Sequence, residues 1–576
     1  MRLVLKALPL FAILLAIASC ATSPGKPTIR TGSAEENLFD AAKGGTVEAV
    51  RSALEAGASV EAVDSRRFTP LMYAARKNTN PDVATALISA GAKLTDRDPF
   101  GSTPLILAAS DNSNPDVVRA LVNAGASLHD RDREGATALI LAAANNQNPD
   151  VTRMLIGEGA ALTDHTYAGS TPLIAAAHFN QNPAVLQLLI DSGASVEERN
   201  NNGWTPLIFA AAVNRNPDIV ITLIRAKANL EDRNSDGWSA VMCAARYNSN
   251  ASVLAALLAA GASTTDQDSN GDTPLILAAG FSTNVSVIET LLKKHANIHA
   301  RNNSGLTPLD FAAMDNPNVG ITEALLRAGA MVNSSSNDGW TPLLVAARYN
   351  PNADETKTLI AAGAKAESHN KGGVTPLMAA GYNSNPEVAR ALLADGAQVN
   401  DSTPDGWTPF LYAAAGGTDP EVLKVLRDAG ADTHHSEVDG LNALMIAAQN
   451  NPNGDILSAL IRGGADVESR DLKARTPLML AASHNPSADI VRALLAAGAK
   501  VNDRAESGAT PLIFAAHYGI NPQDIPLLLN AGADPQARDI IGKSVVDYAK
   551  ANPKLKGTPE YQQLLIASRA APSITR

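Results

Sequence analysis

The sequence predicts an all-α fold, a solenoid of about sixteen helix-turn-helix units joined by hairpin-like loops. Thr-Pro-Leu, or a degraded copy of it, recurs every 34 residues from Thr69 to Ser544, with a single step of 33. A turn rich in Asn and Pro follows each copy, and Gly-Ala closes almost every unit. A fixed period of this length indicates a stack of small units that bury their apolar faces against one another.

The first 19 residues are predicted to be an export signal. Arg2 and Lys6 precede an apolar run over residues 7–16 that is too short to span a bilayer. The tetrapeptide Ile-Ala-Ser-Cys that ends at Cys20 resembles the lipobox of bacterial lipoproteins. That resemblance implies cleavage before Cys20 and lipidation of its thiol. The alternative is a secretory signal cut after Ala18, which would release the protein.

Residues 20–36 are rich in Thr, Ser, Pro and Gly, which predicts a flexible, lipidated tether. Ala21 follows the lipidation position, where an Asp tends to retain lipoproteins of Gram-negative bacteria at the inner membrane. The resemblance therefore implies the outer membrane, with the protein facing the periplasm or the cell surface. Cys243, the other cysteine of the chain, is left without a disulfide partner and is predicted to be a small buried hydrophobe.

One repeat, residues 69–102, shows why each element forms. Thr69 is a good N-cap, and the Pro that follows it fits the first helical turn. Apolar residues two, five and six positions after Thr69 share one face of this first helix. Asn80 caps a second helix, which ends at Gly91 in a left-handed residue. A polar loop over residues 95–102 then leads into the next copy.

This arrangement of Thr-Pro-Leu and Gly-Ala resembles the ankyrin repeat over residues 37 to about 550. The resemblance implies a curved array of antiparallel helix pairs with loops along one edge. Residues 37–68 are predicted to be an N-capping repeat, residues 69–543 fourteen internal repeats, and residues 544–576 C-capping helices and a tail.

The array departs from the family at the turn between the two helices, where an extra residue makes the period 34. Asn replaces the usual Gly there, and we predict a left-handed helix C-cap, because Asn tolerates that conformation. The positions concerned are Asn78, Asn112, Asn146, Asn180, Asn214, Asn248, Asn316, Asn350, Asn451 and Asn485. Lys227 and His295 replace the Gly of Gly-Ala, so residues 225–300 are predicted to be the weakest interior segment.

Catalysis is not predicted. The chain has no Gly-rich phosphate loop, no nucleophile elbow and no Cys-x-x-Cys, and its ten His lack metal-ligand spacing. Acidic residues flank Arg97 and Arg131 in the loops; these are predicted to be paired surface charges, with calcium binding as the alternative. No cofactor, metal or catalytic residue is therefore expected. The net charge of −11, without a basic block, predicts no nucleic-acid partner.

Aromatic residues occupy two slots of the repeat, and the resemblance implies that both line a concave binding face. All four Trp precede the Thr or Ser that begins a repeat, and the second slot lies at the end of the first helix. Two interpretations stay open: the rings anchor a partner, or they pack on neighbouring repeats. The candidate partner-binding residues are Trp204, Trp238, Trp340, Trp407, Phe179, Tyr247, Phe281, Tyr349, Tyr382 and Tyr518.

The sequence thus predicts a monomeric, lipid-anchored scaffold of a bacterial cell envelope that binds other proteins through its concave face. The alternative is an exported effector that binds a protein of a host or target cell. A third hypothesis, an enzyme or an enzyme-regulating subunit, rests on analogy of fold alone. The identity of the partner is not encoded in the repeat pattern.

Overall fold

The computed structural model describes residues 33–570, which divide into two compact units at Pro172. The first unit contains eight helices in four pairs. They are α1 (Ala34–Gly44), α2 (Val47–Glu55), α3 (Pro70–Lys77), α4 (Pro81–Ser89), α5 (Pro104–Asp111), α6 (Pro115–Asn123), α7 (Ala138–Asn145) and α8 (Pro149–Gly157).

The second unit contains twelve further pairs, the first helix of which begins at Pro172. They are α9 (Pro172–Phe179), α10 (Pro183–Asp191), α11 (Pro206–Val213), α12 (Pro217–Arg225), α13 (Ala240–Tyr247), α14 (Ala251–Ala259), α15 (Pro274–Phe281), α16 (Val285–Lys293), α17 (Pro308–Asp315), α18 (Val319–Arg327), α19 (Pro342–Tyr349), α20 (Ala353–Ala361), α21 (Pro376–Ala380), α22 (Pro386–Ala394), α23 (Pro409–Gly416), α24 (Pro420–Asp428), α25 (Ala443–Asn450), α26 (Gly454–Arg462), α27 (Pro477–His484), α28 (Ala488–Ala496), α29 (Pro511–Tyr518), α30 (Asp524–Asn530), α31 (Val545–Ala551) and α32 (Pro559–Ala570).

Each unit is built of two layers of helices, as the repeat predicts. First helices pack against the first helices of the next repeat, as α15 packs on α17, and second helices pack likewise, as α4 packs on α6. The core lies between the layers; Leu71, Ala74 and Ala75, the predicted face of one first helix, are all buried. Residues 33–570 form no β-strand, and their loops carry only isolated antiparallel bridges such as Arg233 with Ser239.

The predicted helix starts are confirmed. The Thr69 hydroxyl accepts a hydrogen bond from the Met72 amide at 3.3 Å, and the Asn80 side chain accepts one from the Asp82 amide at 3.0 Å. The first helix, α1, begins at Ala34, inside the segment 20–36 that the sequence assigns to the tether. Ser33 and Glu36 form a reciprocal capping box there, and this pair of hydrogen bonds fixes where the helix starts.

The left-handed ends of the second helices are also confirmed. Gly91 has a φ of 102°, and the two residues that replace the equivalent glycine, Lys227 and His295, keep the conformation with φ of 65° and 61°. Because a side chain disfavours this region by about 1 kcal/mol, both positions are strained. Two loop-tip residues that the sequence analysis did not single out, Arg67 and Ala474, share the strain.

The predicted left-handed cap at the Asn of the turn is wrong. Asn78 is extended, with φ −85° and ψ 122°, and Asn112, Asn146 and Asn214 have similar angles. The reason lies in the preceding repeat: in the second unit, the buried Asn214 amide donates to the carbonyls of Ala177 at 3.0 Å and Asn180 at 2.9 Å. Its Oδ1 accepts from the Asn216 amide at 3.0 Å.

The same bonds recur along each unit and form what we call the asparagine ladder. Every rung joins a buried side-chain amide to backbone carbonyls of the repeat before it, so the ladder binds repeats together rather than ending a helix. The rungs within the first unit are Asn78, Asn112 and Asn146. Those within the second are Asn214, Asn248, Asn316, Asn350, Asn383, Asn451, Asn485 and Asn552.

Two carboxyl groups lie in the core where other repeats place Val or Ile. Glu355 and Asp524 each lie three residues after the Asn equivalent to Asn80, the N-cap of a second helix, which is the register in which the buried Val83 follows Asn80. Thr322 donates a hydrogen bond of 2.5 Å to Glu355, whose other oxygen has no partner among the described residues. Both carboxyl oxygens of Asp524 lack a hydrogen-bond partner among the described residues. Burial raises the pKa of Glu355 to about 7 and that of Asp524 to about 8.

Candidate functional site

The candidate residues lie on one surface of the second unit, which we call the first-helix face. Its side chains come from the loop-tip residue before each repeat and from positions five, eight and nine of the repeat, counted with the Thr, Ser or Asn that begins it as position one. Positions three and four apart share a side of a helix, so these three helical positions point the same way. Neighbouring first helices pack in a row, which brings the equivalent positions of successive repeats together.

Trp204 packs within the repeats. Its side chain is only 3% exposed, and its ring centroid lies 4.9 Å from that of Phe209, at position five of the same repeat. His178 stacks on Phe209 at 4.8 Å and on Phe179 at 3.6 Å. Burial lowers the pKa of His178 to about 4, so this imidazole is neutral at pH 7. For Trp204 the structure therefore favours the packing interpretation.

Trp238 belongs to a cluster around one arginine. The Arg246 guanidinium carbon lies 3.3 Å from the centroid of Phe281, 5.1 Å from that of Trp238 and 5.3 Å from that of Tyr247. Tyr247 and Phe281 are partly exposed at the surface, whereas the Arg246 Nε is buried without a hydrogen-bond partner among the described residues. Three rings thus hold a cation by cation–π contact at the end of two adjacent first helices.

Three consecutive repeats carry a longer row, which we call the aromatic strip: Trp340, Arg348, Tyr349, Tyr382, Trp407 and Tyr412. The ring centroids of Trp340 and Tyr349 are 6.3 Å apart, and the Arg348 guanidinium lies over Tyr349 at 5.5 Å and over Tyr382 at 4.2 Å. Tyr382 meets Tyr412 edge to face at 5.8 Å, and Trp407 lies 5.2 Å from Tyr412. The candidate residues here form one continuous surface.

The strip is partly open to solvent. Tyr349 is 40% exposed, while Trp340, Tyr382 and Trp407 are intermediate between buried and exposed. Large rings that are fixed by their neighbours and still accessible suit a protein interface, because little entropy remains to be lost when a partner binds. For this part of the candidate set, the rings pack on one another and also present a partly exposed surface; that they anchor a partner stays a prediction.

Tyr518 lies apart from the strip, near the C-terminal end of the unit. It is 51% exposed and contacts Phe514, His484 and His517, with ring centroids at 6.2, 6.3 and 3.8 Å. His517 also stacks on Tyr548 at 4.2 Å. Burial lowers the pKa of both histidines, so the cluster is uncharged at neutral pH.

The sequence analysis missed Arg246, Arg348 and Tyr412. Each has a signal in the repeat: both arginines immediately precede an aromatic residue of the second slot, and Tyr412 lies at position five, one helical turn before that slot. The signal is visible only when the repeats are aligned, because the contacts of Arg348 and Tyr412 cross from one repeat to the next.

The charged loop residues form ion pairs, as predicted, although each pair joins two repeats. Arg97 Nη2 lies 3.2 Å from Asp130 Oδ1, and Arg131 Nη2 lies 2.7 Å from Asp164 Oδ1. The same guanidinium of Arg97 donates to the carbonyls of Gly101 and Arg131 at 2.6 Å. Within residues 33–570 no group of three His, Cys, Asp or Glu side chains is placed to hold a metal ion.

Cys243 does not contribute to the first-helix face as a reactive group. Cys243 is fully buried, and burial raises the pKa of its thiol, which makes it a structural residue. Cys20, the predicted lipidation position, lies outside the described residues, as does the rest of the predicted export signal. No helix within the described part of the chain is both long and apolar enough to cross a bilayer.

Comparison with known proteins identifies the family. The profile described as ankyrin repeats, in three copies, matches residues 13–98, 77–166, 141–234, 210–302, 282–356, 345–437 and 444–539. The chain therefore belongs to the ankyrin-repeat family, whose members are generally non-enzymatic scaffolds for protein–protein interaction. The crystal structure of the ankyrin repeat domain of human ASB11 is similar at 27% identity, covering 39% of this chain and 96% of that one, with a TM-score of 0.35. No curated protein matches the chain.

Proposed function

We propose that this chain is a lipid-anchored scaffold of a bacterial cell envelope, which binds a protein partner through the aromatic strip. The ankyrin repeats support protein binding. The strip supplies what an interface needs: adjacent Trp and Tyr side chains, oriented by one another and partly exposed. The observation that carries the proposal is this continuity across three repeats, since a single extended segment of a partner could contact all of it.

The first test removes the strip. Replacing Trp340, Tyr349 and Trp407 with Ala should abolish partner capture, because anchor residues of this type each contribute about 2 kcal/mol or more at the centre of an interface. Proteins crosslinked to the wild-type chain in envelope fractions are quantified and compared with those crosslinked to the triple variant. Tyr518→Ala is the matched control, since it removes another exposed ring of the same unit that lies apart from the strip.

Two results would contradict this use of the strip. Equal capture by the triple variant, with an unchanged melting temperature, would place the partner elsewhere on the chain. A melting temperature that collapses would mean that the three rings act chiefly as packing between repeats. Retained capture by Tyr518→Ala is required in either case, so that general loss of aromatic surface is excluded as the cause.

The anchor is tested separately. We expect Cys20→Ala to move the protein from the membrane pellet to the soluble fraction or to block its maturation, because the thiol carries the lipid in the lipobox that ends at Cys20. Incorporation of labelled palmitate is the measurement, with Cys243→Ala as the control that retains Cys20. Equal incorporation by wild type and Cys20→Ala would contradict lipidation. Cleavage after Ala18 would instead support the alternative function, an exported effector that is released from the cell.

A further inference from the structure

Two arginines of the first-helix face, Arg246 and Arg348, are held by aromatic rings instead of by carboxylates. Both occupy position eight of their repeat, and both are half-buried. The Arg348 guanidinium lies between Tyr349 and Tyr382, and that of Arg246 lies among Trp238, Tyr247 and Phe281. Within residues 33–570 neither guanidinium forms an ion pair.

A third arginine at position eight shows what this side chain does when a carboxylate is available. Arg76 Nε pairs with Asp111, at position nine of the next repeat, and both side chains are about one-fifth exposed. The residues that correspond to Asp111 beside the other two arginines are Phe281 and Tyr382. The substitution of a ring for the acid leaves a guanidinium that is oriented and partly desolvated but not neutralised.

The remaining acids nearby do not fill this role. Asp272 lies close enough for Arg246 to influence its pKa, which burial nevertheless raises to about 6, and its hydrogen bond is to Asn302 at 2.8 Å. Asp236 influences Tyr247, and Asp405 influences Tyr412, yet neither contacts a guanidinium of the two clusters. Among the described residues, neither guanidinium therefore has a carboxylate within ion-pair distance, although both side chains are partly accessible to solvent.

We propose that Arg348 and Arg246 each bind a carboxylate of the partner, so that the partner segment is acidic, with apolar side chains beside each acid. This inference rests on the proposed function and adds the chemistry of the partner. A guanidinium binds a carboxylate through two parallel hydrogen bonds, and stacking on rings fixes its plane before binding. Apolar groups next to the acid would lie on Trp340 and Trp407.

The spacing of the two arginines limits the length of that segment. They are three repeats apart in the same unit, and packed helices are spaced by about 8–10 Å, which gives on the order of 30 Å. An extended chain covers that distance in about nine residues. The partner therefore presents two acids separated by about nine residues, and a segment with one acid binds at Arg348 alone.

The experiment selects random dodecapeptides on the full chain and measures their affinity for variants. We expect the selected peptides to be enriched in Asp or Glu, and Arg348→Gln to weaken them 10- to 100-fold without a change in melting temperature. Arg348→Lys, which keeps the charge but loses the planar pair of donors, should restore only part of the affinity. Arg76→Gln is the matched control and should change affinity less than twofold, since Arg76 already pairs with Asp111.

The outcomes separate this inference from the function on which it rests. Peptides that lose affinity for Trp340→Ala but bind Arg348→Gln as tightly as wild type would overturn the acidic partner and leave the strip as the interface. Peptides that bind Trp340→Ala and Arg348→Gln as tightly as they bind wild type would overturn both the acidic partner and the strip as the interface. An absence of acidic enrichment among peptides that require Trp340 would also overturn the inference.

Discussion

Asn214→Ala is expected to lower the free energy of unfolding of its repeats by about 2–4 kcal/mol, a large effect for a single polar side chain. The substitution removes two hydrogen bonds to the Ala177 and Asn180 carbonyls and one from the Asn216 amide. Because Asn214 is fully buried, the two carbonyls lose their partner without gaining water, and the amide of the half-exposed Asn216 loses its partner as well. Denaturant unfolding and hydrogen exchange of residues 205–225 measure the change.

The control for this prediction lies two residues away. Asn216 is a half-exposed N-cap whose Oδ1 accepts from the Asp218 amide at 3.0 Å and whose own amide donates to the Gln181 carbonyl at 2.7 Å. Because water can replace these bonds, Asn216→Ala should cost only about 1 kcal/mol. Asn214→Asp tests the direction of the hydrogen bonds, because a carboxylate cannot donate to the two carbonyls. This substitution should therefore be at least as destabilising as Asn214→Ala. Equal and small losses for Asn214→Ala and Asn216→Ala would show that the ladder contributes little to the packing of repeats.

Asp524→Val is expected to stabilise the protein, by about 3 kcal/mol at pH 8. The folded-state pKa of Asp524 is raised to about 8, well above its value in an unfolded chain, so folding takes up a proton between about pH 4 and pH 8. Its contribution is therefore most favourable at low pH and is lost as the pH rises through that range. Val, the common residue in this register, has no such dependence.

Three further variants separate charge from polarity at the two buried carboxyl groups. Asp524→Asn should remove the pH dependence but gain less stability than Val, because an unpartnered amide remains buried. Glu355→Val should repeat the effect of Asp524→Val with a smaller range, as its pKa is raised to about 7. Asp354→Ala, the exposed neighbour of Glu355, is the control and should change little. A difference between wild type and Asp524→Val that does not vary with pH would contradict the buried charge.

Most of the helical architecture could be predicted because its signals are local. Thr-Pro fixes where a first helix begins, Asn fixes where a second begins, and a glycine with positive φ fixes where it ends, each within one or two residues of the observed bounds. In the 33-residue repeat, the first helix, Pro376–Ala380, is the shortened element.

The errors and omissions share one physical cause, which is that they depend on contacts between repeats. Asn78 satisfies the sequence rule for a left-handed cap, yet the carbonyls of the preceding repeat compete for its amide and keep its backbone extended. The Arg348 guanidinium packs on the ring of Tyr382, which belongs to the next repeat. Trp204 and Trp340 share the sequence Gly-Trp-Thr-Pro-Leu, yet only Trp204 is buried. It lies beside Phe209, on which His178 of the preceding repeat stacks.

The asparagine ladder has a consequence for how such a chain can change its length. Where the repeat is one residue short, Asn383 still donates to the carbonyls of Ala347 and Asn350, at 2.9 and 2.8 Å. The register between neighbours is therefore set at the turn and not by the number of residues in the first helix. If a whole repeat were removed or duplicated between two equivalent turns, the Asn side-chain amide at the new junction would meet the same backbone carbonyls of its new neighbour. The ladder thus makes the array a modular assembly that can be lengthened or shortened by unequal recombination without redesign of its joints.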